Sequence, residues 1–396
     1  MKTIALLSGK GGSGKTTLGL TISSLFSNAG LKTLLIDCDF ATNGATFFFE
    51  DQLPKGSTEE MISSLDSALL HYHYINNEIY KENWDKGPIN QTEALKVLSV
   101  SPDFDFLPSV THISPEKTTY IEFPGRDSHD FEAFQSDLNE LNYDIVVLDC
   151  QAGYSEILPI ILPNTDIHLI VLEPDKVSTS SMRSLYRKIS SLISEKHVYQ
   201  VFNKANEKER IRLKDITFGT MFLNTGALLY DWSIREDYAF SKVPRVDEHL
   251  EYSLSVCDVV VKIVNDKEIR VMLEEYSDYL RKKQRDILGR ELFDLEDDST
   301  HRIWRRLSGQ IMLFIVLLTV ALSLTYSVLR STNVGGITPE IIIGFVALVI
   351  IGFAVIGQLS IDDKNDKEQL ERRKRIDELQ TELRNIETSL KHSEEQ

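Results

Sequence analysis

Ser8-Gly9-Lys10-Gly11-Gly12-Ser13-Gly14-Lys15-Thr16-Thr17 is the stretch on which the reading of this chain turns. An apolar run, Thr3 to Leu7, precedes it and reads as a buried parallel strand. Leu18, Leu20, Ile22, Leu25 and Phe26 follow at helical spacing. Strand, glycine-rich loop and helix make the G-x-x-x-x-G-K-[ST] pattern a phosphate cradle. Glycines let backbone N–H groups curl around phosphate oxygens without a Cβ in the way. The helix N-terminus adds the positive end of its dipole. On this reading Gly11, Gly12, Ser13, Gly14 and Thr17 line the site. Lys15 reaches the β- and γ-phosphates of ATP, and the Thr16 hydroxyl ligates Mg²⁺.

The totals bound the rest. The 396 residues carry Lys+Arg 43 against Asp+Glu 60, a net charge of −17. From His301 onward the basic and acidic side chains balance, so the whole excess lies in residues 1–300. An acidic domain is a poor nonspecific DNA binder, because that affinity comes from released counterions. Cys38, Cys150 and Cys257 form no C-x-x-C pair and read as small core residues of a reducing cytosol. Met1 to Leu7 is too short for a secretion signal and runs straight into the loop.

Further strands carry further carboxylates. Thr33 to Ile36 is apolar and ends in Asp37-Cys38-Asp39. Ile145-Val146-Val147-Leu148-Asp149 reads as a buried strand delivering Asp149 to an Mg²⁺ shell at its C-terminal end. Gln151-Ala152-Gly153 follows, and the Gly153 N–H is placed to meet the γ-phosphate. Lys96 to Val100 and Asp105 to Leu107 are short strand candidates, the second leading into Leu-Pro-Ser. Phe131 to Leu141 and Ser178 to Ile193 are helical by spacing, and Ile167 to Leu172 and Val198 to Phe202 are strands. Residues 50–95 are the least informative, helical in pattern around Met61 to Tyr74. His71 and His73 there read as surface or core histidines rather than metal ligands.

Lys10 narrows the family. Lys-Gly-Gly-x-Gly-Lys-Thr resembles the deviant Walker A loop of the ParA/MinD group of ATPases. The resemblance covers residues 1 to about 260. It implies a mostly parallel, doubly wound α/β sheet of the P-loop NTPase (SIMIBI) type, and ATP hydrolysis by a homodimer. It further implies that Lys10 contacts the phosphates held by a partner subunit. Asp39 would then position the attacking water and the Mg²⁺ shell, and Asn203 would hydrogen-bond the adenine. Residues 234–238 and the short strand 242–244 resemble the family's last loop near the base. Two departures stand out: Phe40-Ala41-Thr42-Asn43-Gly44 replaces Pro-Gln-Gly-Asn, and no proline accompanies Gln151. Catalytic roles thus fall to Lys10, Lys15 and Asp39, and metal roles to Thr16, Asp39 and Asp149.

The last third points to a membrane. Residues 311–329 and 341–361 carry no charge, and each is long enough to span about 30 Å of hydrocarbon. Arg302, Arg305 and Arg306 flank the first, and Lys364, Lys367 and Arg372 to Arg375 the second. Positive-inside counting keeps both termini in the cytoplasm, at the inner membrane. Ile376, Leu379, Leu383, Ile386 and Leu390 then recur at coiled-coil spacing. The expected parts are an ATPase domain (1–265), a charged helical connector (266–306), a two-helix transmembrane hairpin (307–361) and a coiled-coil-like tail (362–396). Two functions fit: a membrane-anchored dimerising ATPase switch serving positioning, assembly or signalling, or a membrane effector whose spans oligomerise under nucleotide control.

Overall fold

β1 (Lys2–Leu7) sits inside an eight-stranded sheet and is buried along all but its first residue. The computed structural model describes residues 1–53, 63–66, 68–69, 95–110, 128–193, 198–213, 222–296, 370–391 and 393. They fall into two units, 1–280 and 281–396. The expected spans 311–329 and 341–361, His71, His73 and most of residues 61–74 lie outside the described residues. No helix among the described residues is long and apolar enough to cross a membrane.

In the first unit β1 leads through the loop to α1 (Lys15–Asn28), β2 (Thr33–Cys38) and α2 (Gly44–Phe48). β3 (Leu98–Ser101), β4 (Phe104–Leu107), α3 (Ser128–Glu140) and β5 (Ile145–Cys150) come next. α4 (Leu158–Ile161), β6 (Ile167–Leu172), α5 (Lys176–Ile189), β7 (Val198–Ala205) and α6 (Glu207–Leu213) follow. β8 (Leu223–Leu229), α7 (Trp232–Ala239) and α8 (Leu250–Ile263) complete the described elements. The strand order is β3-β4-β2-β5-β1-β6-β7-β8, parallel throughout except for the β3–β4 pair at one edge. The connection from β1 runs to β2 on one side and the connection from β5 passes β1 to β6 on the other, and the crevice this reversal opens at the C-terminal strand ends is where such sheets hold ligands.

Strand alternation explains why both faces are covered. Ile4, Leu6, Leu35, Ile145, Val147 and Leu169 point into one core layer with α1 and α8. Ala5, Leu7, Leu34, Val146, Leu148 and Ile170 point into the other, with α3, α4 and α5. Strands buried on both faces read as unbroken apolar runs, which is why they stand out in the sequence. The sheet's lower edge is pinned by Asp166, which accepts hydrogen bonds from the Thr3 N–H (2.8 Å) and hydroxyl (3.0 Å). All three cysteines are buried and free.

Two local expectations change. Residues 242–244 form no strand: the Lys242 N–H turns back to the Asp237 carbonyl (2.9 Å), Ser241 is left-handed (φ 52°), and Pro244 has no N–H for a ladder. β8 is a strand that no apolar run in the sequence announces, its residues only partly buried at the sheet edge. In the second unit residues 281–296 and 370–391 are helical. Leu379 and Leu390 are buried, with Ile376, Leu383 and Ile386 half-buried between exposed neighbours, so the three-four spacing marks the protected stripe. Arg375 binds Glu291 there through Nε (3.0 Å) and Nη2 (2.9 Å).

Phe106, on β4 just before Ser109, is fully buried with its ring 4.5 Å from that of Phe49. Phe106→Ala should cost about 3–5 kcal/mol in urea unfolding of the chain, the range for emptying a buried phenyl site. A loss below about 1 kcal/mol would contradict the packing.

Candidate functional site

The loop between β1 and α1 holds its shape through glycine. Gly12 (φ 79°) and Gly14 (φ 84°) are left-handed. A Cβ on Gly9 would lie 2.3 Å from the backbone of Ser181 and Met182 in α5, and one on Gly14 would lie 2.4 Å from Asn203 Nδ2. α1 starts with no side-chain cap and no acidic residue in its first turn, so its positive end is open to an anion. Lys15 is buried and donates to Ser8 Oγ (2.9 Å), whose own hydroxyl proton goes to the Lys10 carbonyl (2.9 Å).

A cavity of about 610 Å³ opens over this loop. Gly11, Gly12, Ser13, Gly14, Lys15, Thr16 and Thr17 form its floor, with Asp39, Gln151 and Asn203 around them. Its far wall comes from Tyr230, Asp231, Ile234, Arg235 and Tyr238, with Tyr252 behind. Thus the loop residues, Asp39 and Asn203 expected from the sequence do meet at one cavity, with Asp149 buried beneath it.

Asp149 lies on β5 directly beside Asp37 of β2. Burial pushes the Asp149 carboxyl up to about 6, against the pull of Lys15 and the Thr16 hydroxyl. Burial and the neighbouring Asp149 push Asp37 up to about 7. Asp149 Oδ1 is buried without a hydrogen-bond partner. A buried carboxylate oxygen left bare beside a threonine hydroxyl suits a hard, oxygen-seeking divalent cation, so the residues fit Mg²⁺. Thr16 and Asp149 would hold it, with Asp39 close enough to Asp149 to act electrostatically on it. No cluster of three His, Cys, Asp or Glu among the described residues offers another metal site.

Asp37 is a residue that motif reading left out. Its carboxylate accepts from the Asp39 N–H (2.9 Å), the Thr46 N–H (2.8 Å) and the Thr46 hydroxyl (2.7 Å). Thr46 meets Ser109 Oγ (3.0 Å), and Ser109 donates to Asn43 Oδ1 (2.7 Å). The Leu-Pro-Ser stretch is therefore tied to the loop after β2. Asp39 itself accepts from the Ala41 (3.1 Å) and Thr42 (2.9 Å) N–H groups and the Thr42 hydroxyl, shaping a tight turn at the cavity rim.

Three placements differ from the expected contacts. Gly153 (φ 80°) gives its N–H to the Ser8 carbonyl (2.8 Å) rather than into the cavity. Asn203 lies inside β7 and donates to the Ser13 carbonyl (2.9 Å), bracing the phosphate loop. Lys10 turns to its own chain: it pairs with Glu173 and, at 2.8 Å, with Asp175, which also caps α5. Lys204 joins Glu173 (2.9 Å) and reaches the Gly12 carbonyl. Burial raises the Glu173 carboxyl, but Lys10 and Lys204 outweigh it and hold the group below the usual carboxylate range. Tyr238, also unanticipated as an individual contact, bonds the Thr16 hydroxyl and stacks on Phe48 (5.3 Å between centroids).

The raised carboxyls set a pH dependence. The folded chain keeps protons on Asp37 and Asp149 that the unfolded chain gives up from about pH 4, so this stabilisation is full below that and fades as pH rises through 6 to 7. Asp37→Asn should flatten the trend. Between pH 5 and 8, without nucleotide, its melting temperature should fall about 5 °C less than that of the wild type. Parallel profiles for the two proteins would contradict the buried pair.

Among solved structures, a chain of the MinC:MinD cell division protein complex from Aquifex aeolicus is 17% identical, with TM-score 0.49, over 67% of this chain and 97% of that one. A putative plasmid partition protein from Borrelia burgdorferi bound to AMPPNP is 17% identical, with TM-score 0.47, over 66% and 99%. The septum site-determining protein MinD complexed with Mg-ADP from Pyrococcus horikoshii is 16% identical, with TM-score 0.46, over 68% and 98%. No curated protein matches the chain. A family profile described as an AAA domain matches residues 1–201, just over half of the chain and the whole run from the phosphate loop past Asp149 into β7, and the chain belongs to that AAA-domain family.

Proposed function

We propose that this chain is an ATP-hydrolysing dimerisation switch of the ParA/MinD type, working at the cytoplasmic face of a membrane. The observation that carries the proposal is the bare, buried oxygen of Asp149 beneath a loop that already presents Lys15, Thr16 and an uncapped helix end. A polyphosphate with Mg²⁺ supplies what each of these groups lacks. ATP and water yield ADP and phosphate.

The chain's own residues divide the work. The loop N–H groups and Lys15 neutralise charge on the phosphates, which is the main demand of phosphoryl transfer. When bound, Mg²⁺ would add Lewis-acid charge neutralisation, held by Thr16 and Asp149. Asp39 stands at the cavity rim as the carboxylate that orients water. Lys10 acts on a second copy, and to do so it must leave Glu173 and Asp175. Release of Gly153 from the Ser8 carbonyl would free its N–H for the γ-phosphate. Both contacts describe a resting arrangement from which nucleotide and partner binding draw the loops.

The uncharged stretches 311–329 and 341–361, with basic flanks, support two membrane spans and cytoplasmic termini at the inner membrane. Anchoring raises the local concentration of copies, so weak face-to-face contacts suffice for pairing. The excess of acidic residues in 1–300 weighs against chromosomal DNA as the surface on which the switch works.

Purified chain should hydrolyse ATP, and Lys15→Ala should lower turnover about 100-fold or more. Lys10→Ala and Asp39→Ala should abolish turnover while leaving nucleotide binding intact. In Lys10→Ala the ATP-dependent dimer should also disappear in sedimentation. Unchanged turnover in all three variants would reject the proposal.

A further inference from the structure

We propose that His249 is a positioning residue for the nucleotide: through a hydrogen-bonded chain it holds α7, the helix that walls the cavity opposite the phosphate loop. The inference rests on the reading of that cavity as a nucleotide site. α7 and the residues just before it contribute Tyr230, Asp231, Ile234, Arg235 and Tyr238 to the wall. Those side chains are themselves linked: Arg235 Nη1 donates to the Tyr230 hydroxyl (3.2 Å), and its guanidinium lies 4.8 Å over the Trp232 ring. Moving α7 moves all of them.

His249 stands at the N-terminus of α8, its side chain only 10% exposed. Its Nε2 meets Asp237 Oδ2 at 2.7 Å, and its Nδ1 meets Ser233 Oγ at 2.9 Å. Ser233 in turn donates to Asp231, whose carboxylate caps α7 by accepting from the Ser233 N–H (2.8 Å). The imidazole thus grips α7 at its first turn and again one turn later. Asp231 at the end of this chain is itself part of the cavity wall.

Proton counting shows what the arrangement asks of the ring. The chain Asp237–His249–Ser233–Asp231 has three links and ends in two carboxylates, which accept only. Ser233 brings one proton. A neutral imidazole brings one more, leaving a link empty, whereas an imidazolium brings two and fills all three. The charged ring also lies between two carboxylates, with Asp231 Oδ2 at 3.9 Å from Nδ1. Beyond them Arg245 pairs with Glu248 and, at 3.9 Å, with Asp247, and Arg210 with Glu207 (3.3 Å) and Glu251 (3.8 Å), so these neighbours are acidic on balance and add no net positive charge against the ring. The positively charged ring is therefore the form that holds α7 in place, and loss of its second proton loosens the wall.

The test measures binding of a fluorescent MgATP analogue to the full chain and to His249→Gln across roughly pH 5–8. Titration of the Asp37–Asp149 pair beneath the loop is common to both proteins, so the reading is their ratio: wild-type affinity should exceed that of His249→Gln by about tenfold at the acidic end, the worth of one charge-assisted hydrogen bond, and the ratio should narrow toward the basic end. His249→Gln, which can fill the Asp237 link but cannot carry the charge, should bind weakly and show only the change with pH that the buried carboxyl pair imposes. Any titration of the analogue itself is common to both proteins. Turnover at saturating ATP should stay within twofold of wild type, so the loss appears in KM. Superimposable profiles for the two proteins would overturn the inference. A wild type that binds no nucleotide at any pH would instead overturn the reading of the cavity. A nitrogen NMR spectrum of the wild-type ring decides the proton count without a variant: both nitrogens protonated in the acidic half of the range supports it, and a single-proton tautomer there contradicts it.

Discussion

Two carboxylates, Asp37 and Asp149, are buried side by side on adjacent strands at the C-terminal edge of the sheet. Burying a carboxylate without a full set of partners is costly, and placing a second one beside it adds repulsion. Asp37 meets that cost internally, with three hydrogen bonds from Asp39 and Thr46. Asp149 does not, and one of its oxygens stays bare. The sheet can hold this arrangement because β1, β2, β5 and β6 are packed on both faces, which makes the strand ends rigid. The instability is local, and a bound cation would relieve it.

The loops around this point are held by contacts that a ligand would replace. Gly153 spends its N–H on the Ser8 carbonyl, and Lys10 is paired with Glu173 and Asp175. Asn203 and Lys204, side by side on β7, both reach loop carbonyls, at Ser13 and Gly12. These ties run from separate strands to one loop, so a movement of the loop is felt at β7, at the turn before α5 and at the residues after β5. Partly exposed ion pairs such as Lys10–Asp175 are individually weak. That suits a contact meant to be exchanged, while the fully buried tie of Asp37 to Thr46 suits one meant to last.

Much of this was legible in the sequence, for a physical reason. Parallel strands buried on both faces leave apolar runs that need no partner to be recognised, and β1, β2, β5 and β6 were all readable within a residue or two. The phosphate loop was readable because glycine spacing and a following lysine are demanded by the chemistry. β8 was not, since it lies at the sheet edge with a half-exposed pattern and takes its strand form from pairing with β7. Asp37 was legible as half of the Asp37-Cys38-Asp39 pair but was given no role of its own, because spacing does not show that its carboxyl is buried against Asp149. Of the far wall, only residues 234–238 were expected near the base, from the family resemblance; Tyr238 reaches Thr16, and His249 reaches Ser233 and Asp237, because α7 and α8 fold back across the cavity. No local spacing encodes that approach. The tail was simpler, its stripe of Ile376, Leu379, Leu383, Ile386 and Leu390 being the protected face of one helix.

The most direct measurement is a calorimetric titration of the full chain with MgATP. The account predicts saturation at one nucleotide per chain, and loss of most of the affinity in Lys15→Ala or when Mg²⁺ is chelated. An absence of binding heat, or binding indifferent to both Lys15 and the metal, would contradict it.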